Sequence, residues 1–298
     1  MLGAGGGGDV VGALAAARYC EALGTPFVLG GVAWERMPID PHPGPRAVAE
    51  IRGGRTLGAN AVLASAATAT PEGVAFSESH VAGHLGAETV LIDVSEGAKG
   101  VADGIASACD ALGCDLVVLA DVGGDVLAHG DEPGLASPLC DAVMLAGTVA
   151  LAGRVRPLLA VIGPGCDGEL SAAEVMSRVA LAAAAGAWLG TTSVTAALAG
   201  EIERAAARSG TEASLQVARC ARGEVGEAPI RRGRRSVELG PAGALCLYFD
   251  PLVSLANWAP LTAVVAGAGN LVAARDALAA TGVRTELDYE WKRAQASS

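Results

Sequence analysis

The sequence predicts an α/β protein of Rossmann-like type, with a mostly parallel sheet covered by helices on both faces. Short apolar segments alternate with longer helical segments along the 298 residues, which is the pattern of β-α-β units. The apolar segments are continuous, as expected of strands that are buried on both faces. A glycine-rich loop at residues 3–8 also runs directly into a helical segment. We expect a single domain over residues 1–298, with an irregular insertion at about residues 38–75 and a C-terminal extension after about residue 250.

Five apolar segments are expected to form strands, and helical segments lie between them. The predicted strands are residues 26–32, 89–94, 115–120, 158–162 and 244–249. The predicted helices are residues 10–23, 98–112, 138–151, 172–185 and 194–209. Residues 261–281 are expected to be helical in parts, because Gly267 and Gly269 interrupt the pattern.

Two of these helices begin with recognisable N-terminal signals. Ser171 precedes one helix and Glu174 follows three positions later, which predicts a capping box. Ser137 precedes Pro138, and we expect Ser137 to cap a helix that has Pro138 at its first position.

Composition argues against several classes of function. The formal net charge is −11, which disfavours nucleic acid as a partner because its binding depends on Lys and Arg. No apolar segment reaches the roughly 18 uncharged residues that a membrane span requires. The 7 cysteines include no CxxC pair, which indicates a reducing cytoplasm rather than a disulfide framework. A homo-oligomer is expected, with a two-fold dimer as the default.

Two smaller motifs are interpreted as loops. His80 and His84 have the spacing of metal ligands on a helix, but Gly83 weakens a helix and the Glu of the metalloprotease motif is missing. A short basic segment is interpreted as a solvated loop, and the alternative is a phosphate clamp near the functional site. This segment contains Arg231, Arg232, Arg234 and Arg235.

The glycine-rich loop is the clearest indication of a ligand. Such a loop at a helix N-terminus presents backbone N–H groups and the positive end of the helix dipole, which together favour phosphate. The residues expected to bind are Gly3, Gly5, Gly6, Gly7, Gly8 and Asp9. The alternative is a tight packing turn that only glycine can form.

The loop also matches the glycine spacing of a dinucleotide fingerprint, at residues 3, 5 and 8. Two observations weaken that match. Asp9 would repel a pyrophosphate unless a metal ion or an Arg intervenes. The acid expected about 20 positions later is also missing, because the nearest candidate, Glu35, comes too late.

Acidic residues follow several of the predicted strands, where ligands bind in open parallel sheets. Asp93 lies within the predicted strand 89–94, and the acids that follow strands are Glu96, Asp121, Asp125, Asp167, Glu169 and Asp250. Asp121, Asp125 and Asp167 are the predicted catalytic residues, and Asp121 and Asp125 are the predicted ligands of a Mg²⁺ ion. Gly123, Gly124 and Gly165 would let the backbone approach a phosphate or sugar. Alternatively the acids bind ribose hydroxyls or act as acid and base, or they are ordinary turn residues.

Three motifs together resemble a known family. They are Gly-Ala-Gly-Gly-Gly-Gly-Asp-Val-Val-Gly-Ala at residues 3–13, Asp-Val-Gly-Gly-Asp at residues 121–125 and Gly-Pro-Gly-Cys-Asp-Gly-Glu-Leu at residues 163–170. In this combination they are similar to a prokaryotic family catalogued as domain of unknown function 1152, and the resemblance covers most of the chain. It implies a Rossmann-like α/β fold and supplies no established activity.

The leading functional hypothesis is a cytoplasmic enzyme that acts on a nucleotide, nucleoside or phosphorylated sugar. Its reaction would be phosphoryl or glycosyl transfer, or hydrolysis, with the glycine loop holding phosphate. The second hypothesis is an oxidoreductase or methyltransferase that binds a dinucleotide or adenosyl cofactor at the same loop. The third is a module that binds a nucleotide without converting it.

Overall fold

In residues 1–37 and 39–297, which the computed structural model describes, nine strands form one central sheet and two more form a hairpin. The strands are β1 (Leu2–Gly3), β2 (Gly30–Val32), β3 (Arg55–Gly58), β4 (Ala61–Ala64), β5 (Thr89–Ile92), β6 (Leu116–Val122), β7 (Arg156–Ile162), β8 (Trp188–Ser193), β9 (Gly226–Ile230), β10 (Arg235–Leu239) and β11 (Leu245–Phe249). The sheet order is β3-β4-β5-β2-β1-β6-β7-β11-β8, and β9 pairs with β10. The central strands β5, β2, β1, β6 and β7 are parallel, as predicted.

Helices cover both faces of this sheet. They are α1 (Asp9–Ala22), α2 (Ser77–Leu85), α3 (Gly97–Leu112), α4 (Pro138–Val149), α5 (Ala172–Ala184), α6 (Ala196–Ser209), α7 (Ala213–Ala221), α8 (Pro260–Val265), α9 (Leu271–Ala280) and α10 (Glu286–Ser297). Leu119 joins the apolar cluster of α3 and α4, whereas Ala120 joins that of α1 and α6, because alternate strand residues face opposite sides. None of the helices in the described residues is long and apolar enough to cross a membrane.

The edges of the sheet depart from the predicted pattern. The predicted insertion at residues 38–75 contains β3 and β4, which add two antiparallel strands beside β5, so it is not wholly irregular. Residue 38, at its start, and residue 298 lie outside the described residues. Near the other edge, β11 lies between β7 and β8 and runs antiparallel to both. Its end therefore lies at the amino ends of the parallel strands, where Asp250 Oδ2 accepts from Arg156 Nη2 at 2.8 Å. The prediction that Asp250 joins the other strand-end acids was wrong.

Two local predictions also fail. His80 and His84 lie within α2 rather than in a loop, because Gly83 occupies an exposed position of the helix and the helix ends only at Gly86, in the left-handed conformation. Ser137 precedes α4 but makes no side-chain cap, since its hydroxyl donates to Glu169 instead. By contrast, the predicted capping box of α5 is confirmed.

The topology places a crevice beside β1. The chain passes from β1 to β2 on one side and later returns to β6 on the other, so the strand order reverses at β1. Ligands of open α/β sheets bind at such a reversal, outside the carboxyl ends of the strands. The glycine-rich loop links β1 to α1 at this end of the sheet.

The C-terminal helix α10 fastens the segment that follows β2. The carboxylate of Glu290 accepts hydrogen bonds from Trp34 Nε1, Met37 N and Gly44 N at 3.1, 3.2 and 2.7 Å. Glu286 lies one turn earlier and accepts from the backbone of Leu139 and Cys140 at the start of α4. The predicted C-terminal extension is therefore part of the structure around the crevice.

Replacing Glu290 with alanine is expected to destabilise the fold substantially. Each buried donor left without a partner costs about 1–3 kcal/mol unless water reaches it. Urea unfolding followed by tryptophan fluorescence measures this loss, and Glu88→Ala, at an exposed position, is the control. Equal free energies of unfolding for the two variants would show that α10 contributes little to this part of the fold.

Candidate functional site

A cleft of about 230 Å³ lies over the carboxyl ends of β1 and β6. The glycine-rich loop forms its floor, and the turn between β9 and β10 forms part of its rim. Its charged lining residues are Asp9, Arg36, Asp125, Asp141, Asp167, Glu212, Arg231, Arg232 and Arg234. The cleft therefore combines an acidic interior with an arginine-rich rim.

The glycine-rich loop is held tightly by its neighbours. The N–H of Gly5 donates to Asp9 Oδ2 at 2.7 Å, so the carboxylate of Asp9 folds back over the loop. A Cβ on Gly6 would overlap the carbonyl oxygen of Trp34, and one on Gly3 would lie 2.6 Å from Val10 N. Close packing thus accounts for Gly3, which does not line the cleft. Gly5, Gly6 and Gly8 both pack closely and line the cleft, and Gly7 lines it with a positive φ of 83°.

Asp9, Asp121 and Asp141 form an acidic triad at the floor of the cleft, where Asp9 and Asp141 line the cleft and Asp121 lies buried against them. They come from the start of α1, the end of β6 and the first turns of α4, and one carboxylate oxygen of each lies within 4.8 Å of the others. Asp121 is 0% exposed and Asp141 is 2% exposed. Among the described residues, Asp121 Oδ1 and Asp141 Oδ1 have no hydrogen-bond partner. The triad offers oxygen ligands of the kind that hard divalent cations prefer.

Asp125, Asp167 and Glu169 form a second group with the same spacing. Here Glu169 already accepts hydrogen bonds from Ala136 N and Ser137 N at 2.7 and 2.8 Å, and from the hydroxyl of Ser137. Glu169 thus fastens the segment before α4. Asp125 and Asp167 are the members of this group that line the cleft.

Burial raises the pKa of the carboxyl groups in both clusters. It raises the pKa of Asp9 to about 6 and that of Asp167 to about 8. The pKa values of Asp121, Asp125 and Asp141 rise well above their ordinary range, first through burial and then through the charges of neighbouring carboxylates. In the absence of a cation, Asp9 therefore loses its proton near pH 6, whereas Asp167 still holds its proton at neutral pH, and Asp121, Asp125 and Asp141 lose theirs at a higher pH than ordinary aspartates do.

Without divalent cations, the free energy of unfolding is expected to fall as the pH rises from about 4 to about 8. The pKa values of Asp9 and Asp167 are higher in the folded than in the unfolded chain, so the folded state binds more protons in this range. The thermal midpoint in EDTA should decline over this range, and Mn²⁺ should restore it most at the higher pH, because the cation replaces protons. A midpoint in EDTA that stays constant would contradict this account of the cluster.

Positive groups surround the acidic floor. Arg36 stacks on the Trp34 ring at 4.0 Å and pairs with Glu286 at 3.2 Å, and its Nη1 has no partner among the described residues. The N-termini of α1, α4 and α7 contribute Asp9, Ser137 and Ala213 to the lining of the cleft. Helix N-termini and arginines both attract anions, so phosphate is the ligand chemistry that the rim favours.

The structure brings together part of the predicted site. Asp121, Asp125 and Asp167 lie in the two acidic groups, although Asp121 and Asp125, the predicted cation ligands, belong to different groups. Asp93 is elsewhere and accepts from Val48 N at 3.0 Å. Glu96 is likewise elsewhere, beside the Asn60 amide at 3.3 Å.

The predicted ligand-binding glycines after β6 and β7 lie behind the cleft. A Cβ on Gly123 would overlap the carboxyl group of Asp167, and a Cβ on Gly165 would lie 2.8 Å from the backbone of Ala172. Gly124 similarly makes room for Val175, at 2.6 Å. These glycines permit the close packing that positions the acids, and they do not line the cleft.

The sequence reasoning missed Asp141 and Arg36. Asp141 is the sole charged residue of α4, a signal that the sequence did contain. Arg36 follows the short strand β2, and nothing in the surrounding sequence marks it as a residue of the site. The turn containing Arg231, Arg232 and Arg234 lies at the rim of the cleft. This position agrees with the alternative prediction that the basic segment lies near the functional site.

Comparisons with known proteins place the chain in a family without assigning an activity. Neither a curated protein nor a solved structure matches it. A family model described as "Protein of unknown function (DUF1152)" matches residues 1–294, which is nearly the whole chain. The resemblance expected from the motifs is confirmed, and the chain belongs to this family of proteins of unknown function.

Proposed function

We propose that the protein is a divalent-cation-dependent enzyme that transfers or hydrolyses a phosphoryl group of a small phosphorylated substrate. The substrate class is a nucleotide or a phosphorylated sugar. Asp9, Asp121 and Asp141 would hold Mg²⁺ or Mn²⁺, and the cleft above them would hold the phosphate. Phosphoryl transfer depends mostly on positioning and on stabilising negative charge, and the cleft is rich in groups that do both.

The observation that carries this proposal is the pair of buried, unpartnered oxygens Asp121 Oδ1 and Asp141 Oδ1. A buried polar atom without a partner destabilises the folded state. Two such atoms beside a third carboxylate, that of Asp9, destabilise it further. A hard cation would satisfy both oxygens at once. When bound, such a cation supplies positive charge to a phosphoryl oxygen.

Other residues of the cleft would bind the phosphate or transfer a proton. Asp167 lines the cleft and holds a proton up to pH about 8, so it is our candidate for the acid that protonates the leaving oxygen. The N-terminus of α1 and the backbone of Gly6 to Gly8 face the same space and would orient phosphate oxygens. Glu169 holds the loop before α4 and so positions Ser137 at the edge of the cleft.

The size of the cleft favours a small substrate over a dinucleotide. Its volume of about 230 Å³ lies below the range of roughly 300–1,000 Å³ that is usual for sites of drug-sized ligands. The glycine loop also argues against a dinucleotide, because the N–H of Gly5 already donates a hydrogen bond to Asp9 and Gly6 packs against Trp34.

The test is thermal unfolding against nucleotides, sugar phosphates, dinucleotides and S-adenosylmethionine, each with and without Mn²⁺, followed by assays of phosphate release. A ligand at 100 times its dissociation constant should stabilise the fold by about 2.7 kcal/mol. We expect a Mn²⁺-dependent shift with one phosphorylated class, and turnover of that class. Binding without turnover would indicate a nucleotide-binding module, and stabilisation by dinucleotides alone would overturn the proposal.

A further inference from the structure

The turn between β9 and β10 is an unusual basic feature at the rim of the cleft. Its residues 231–234 read Arg-Arg-Gly-Arg, and Arg231, Arg232 and Arg234 all line the cleft. The chain as a whole is acidic, with 32 Asp and Glu against 21 Lys and Arg. A concentration of arginine at this place therefore departs from the general charge of the surface.

The backbone of this turn adopts a conformation that is unfavourable for arginine. Arg231 and Arg232 have φ values of 56° and 57°, in the left-handed region that asparagine and glycine occupy more easily. The connection between β9 and β10 has four residues, and the third, Gly233, also has a positive φ, of 76°. The two arginines thus occupy positions where other residues would be more stable, which is common at functional sites.

Contacts with the walls of the cleft hold the turn in place. The backbone N–H of Arg231 donates to the carboxylate of Glu212, immediately before α7. The Arg231 guanidinium lies 3.8 Å from Glu169 Oε1. Burial raises the pKa of Asp9 and of Asp167, and the positive charge of Arg231 opposes that rise at both carboxyl groups. The turn is therefore anchored within electrostatic reach of the acidic floor.

Arg232 and Arg234 differ from Arg231 in having no acidic partner. Among residues 1–37 and 39–297, neither forms an ion pair, and the Nε of Arg234 donates to the carbonyl oxygen of Arg231 at 3.1 Å. Both are exposed. Their guanidinium groups are available to an anion, and arginine binds phosphate through two parallel hydrogen bonds.

We propose that Arg232 and Arg234 bind a second phosphoryl group of the substrate, so that the substrate is a diphosphate or a bisphosphate rather than a monophosphate. This inference rests on the proposed function. One phosphoryl group would lie over Asp9, Asp121 and Asp141, and the second would lie under the turn. The two sources of that second group, a pyrophosphate linkage and a separate phosphate ester, share the same chemistry at the turn.

The test compares binding of inorganic phosphate, the non-hydrolysable methylenediphosphonate and a sugar bisphosphate, all with Mn²⁺, by isothermal titration calorimetry. The wild-type protein should bind one of the two doubly phosphorylated probes at least about tenfold more tightly than phosphate. The double variant Arg232→Ala/Arg234→Ala should lose that preference, since each charge-assisted contact contributes about tenfold or more. Arg55→Ala/Arg204→Ala removes the same charge at exposed positions away from the cleft and is the control.

The outcomes separate this inference from the proposed function. Binding of Mn²⁺ alone should be unchanged in the Arg232→Ala/Arg234→Ala variant, because neither arginine belongs to the triad. If Mn²⁺ binds and phosphate binds as tightly as both doubly phosphorylated probes, or if the variant keeps the preference, the arginine inference is overturned. If Mn²⁺ fails to bind the wild-type protein, the proposed function fails and the arginine inference fails with it.

Discussion

Asp121→Asn should abolish cation-dependent turnover while the protein remains folded. Asparagine keeps the shape of the side chain but removes the negative charge and one anionic oxygen from the triad with Asp9 and Asp141. Without the charge of the cation, the activation free energy should rise by about 3–5 kcal/mol, which slows the reaction roughly 10²–10⁴-fold. Affinity for Mn²⁺, measured by calorimetry, should fall in parallel.

The same substitution should not destabilise the metal-free protein. Burial raises the pKa of Asp121 well above its ordinary range, so its charge is unfavourable in the folded state and a neutral amide removes that penalty. Asp103→Asn is the matched control, because Asp103 is exposed on α3 and pairs only with Lys99 at 2.6 Å among the described residues. An Asp121→Asn protein that binds Mn²⁺ and turns over like the control would refute the assignment of the triad.

Gly123→Ala is expected to be the most destabilising of the conservative substitutions near the site. Gly123 has a φ of 121°, and its Cβ would overlap the carboxyl group of Asp167. The backbone strain costs about 1–3 kcal/mol and the forced displacement of Asp167 a further 1–3 kcal/mol or so. Displacement of Asp167 should also lower turnover.

Gly190→Ala separates these two contributions. Gly190 has nearly the same φ, 124°, but a Cβ there would meet nothing within 4 Å. Both variants should therefore lose stability through backbone strain, and the additional loss in Gly123→Ala should report the clash with Asp167. Denaturant unfolding of both proteins measures the difference. If the two losses are equal, Asp167 is not held by contact with residue 123.

The parts of the fold that follow local rules were predictable from the sequence. The glycine loop before α1, the capping box of Ser171 and Glu174, and the alternation of strands and helices each depend on residues close together in the chain. The direction of a strand, by contrast, does not depend on residues close together in the chain. Asp250 was misplaced because its strand β11 runs antiparallel, a choice made by pairing with β7 and β8 far away in the sequence.

The candidate site shows the same division. Asp121, Asp125 and Asp167 were found because each follows an apolar strand. Asp141 was missed because it lies within a helix rather than after a strand, and its role depends on the approach of α1 and β6. The position of the arginine turn depends on how β9 and β10 dock beside α7, which no local pattern in the chain reveals.

The anchoring role of α10 has a consequence for biosynthesis. Glu286 and Glu290 bind backbone or side-chain groups of residues 34–44 and 139–140, which border the cleft. During translation, the glycine loop and residues 34–44 leave the ribosome roughly 250 residues before Glu286 and Glu290 do. A nascent or prematurely terminated chain therefore has the acidic floor in its sequence without the groups that complete its surroundings. The surroundings of the acidic floor would therefore be completed only after α10 itself has been synthesised and has docked against residues 34–44 and 139–140.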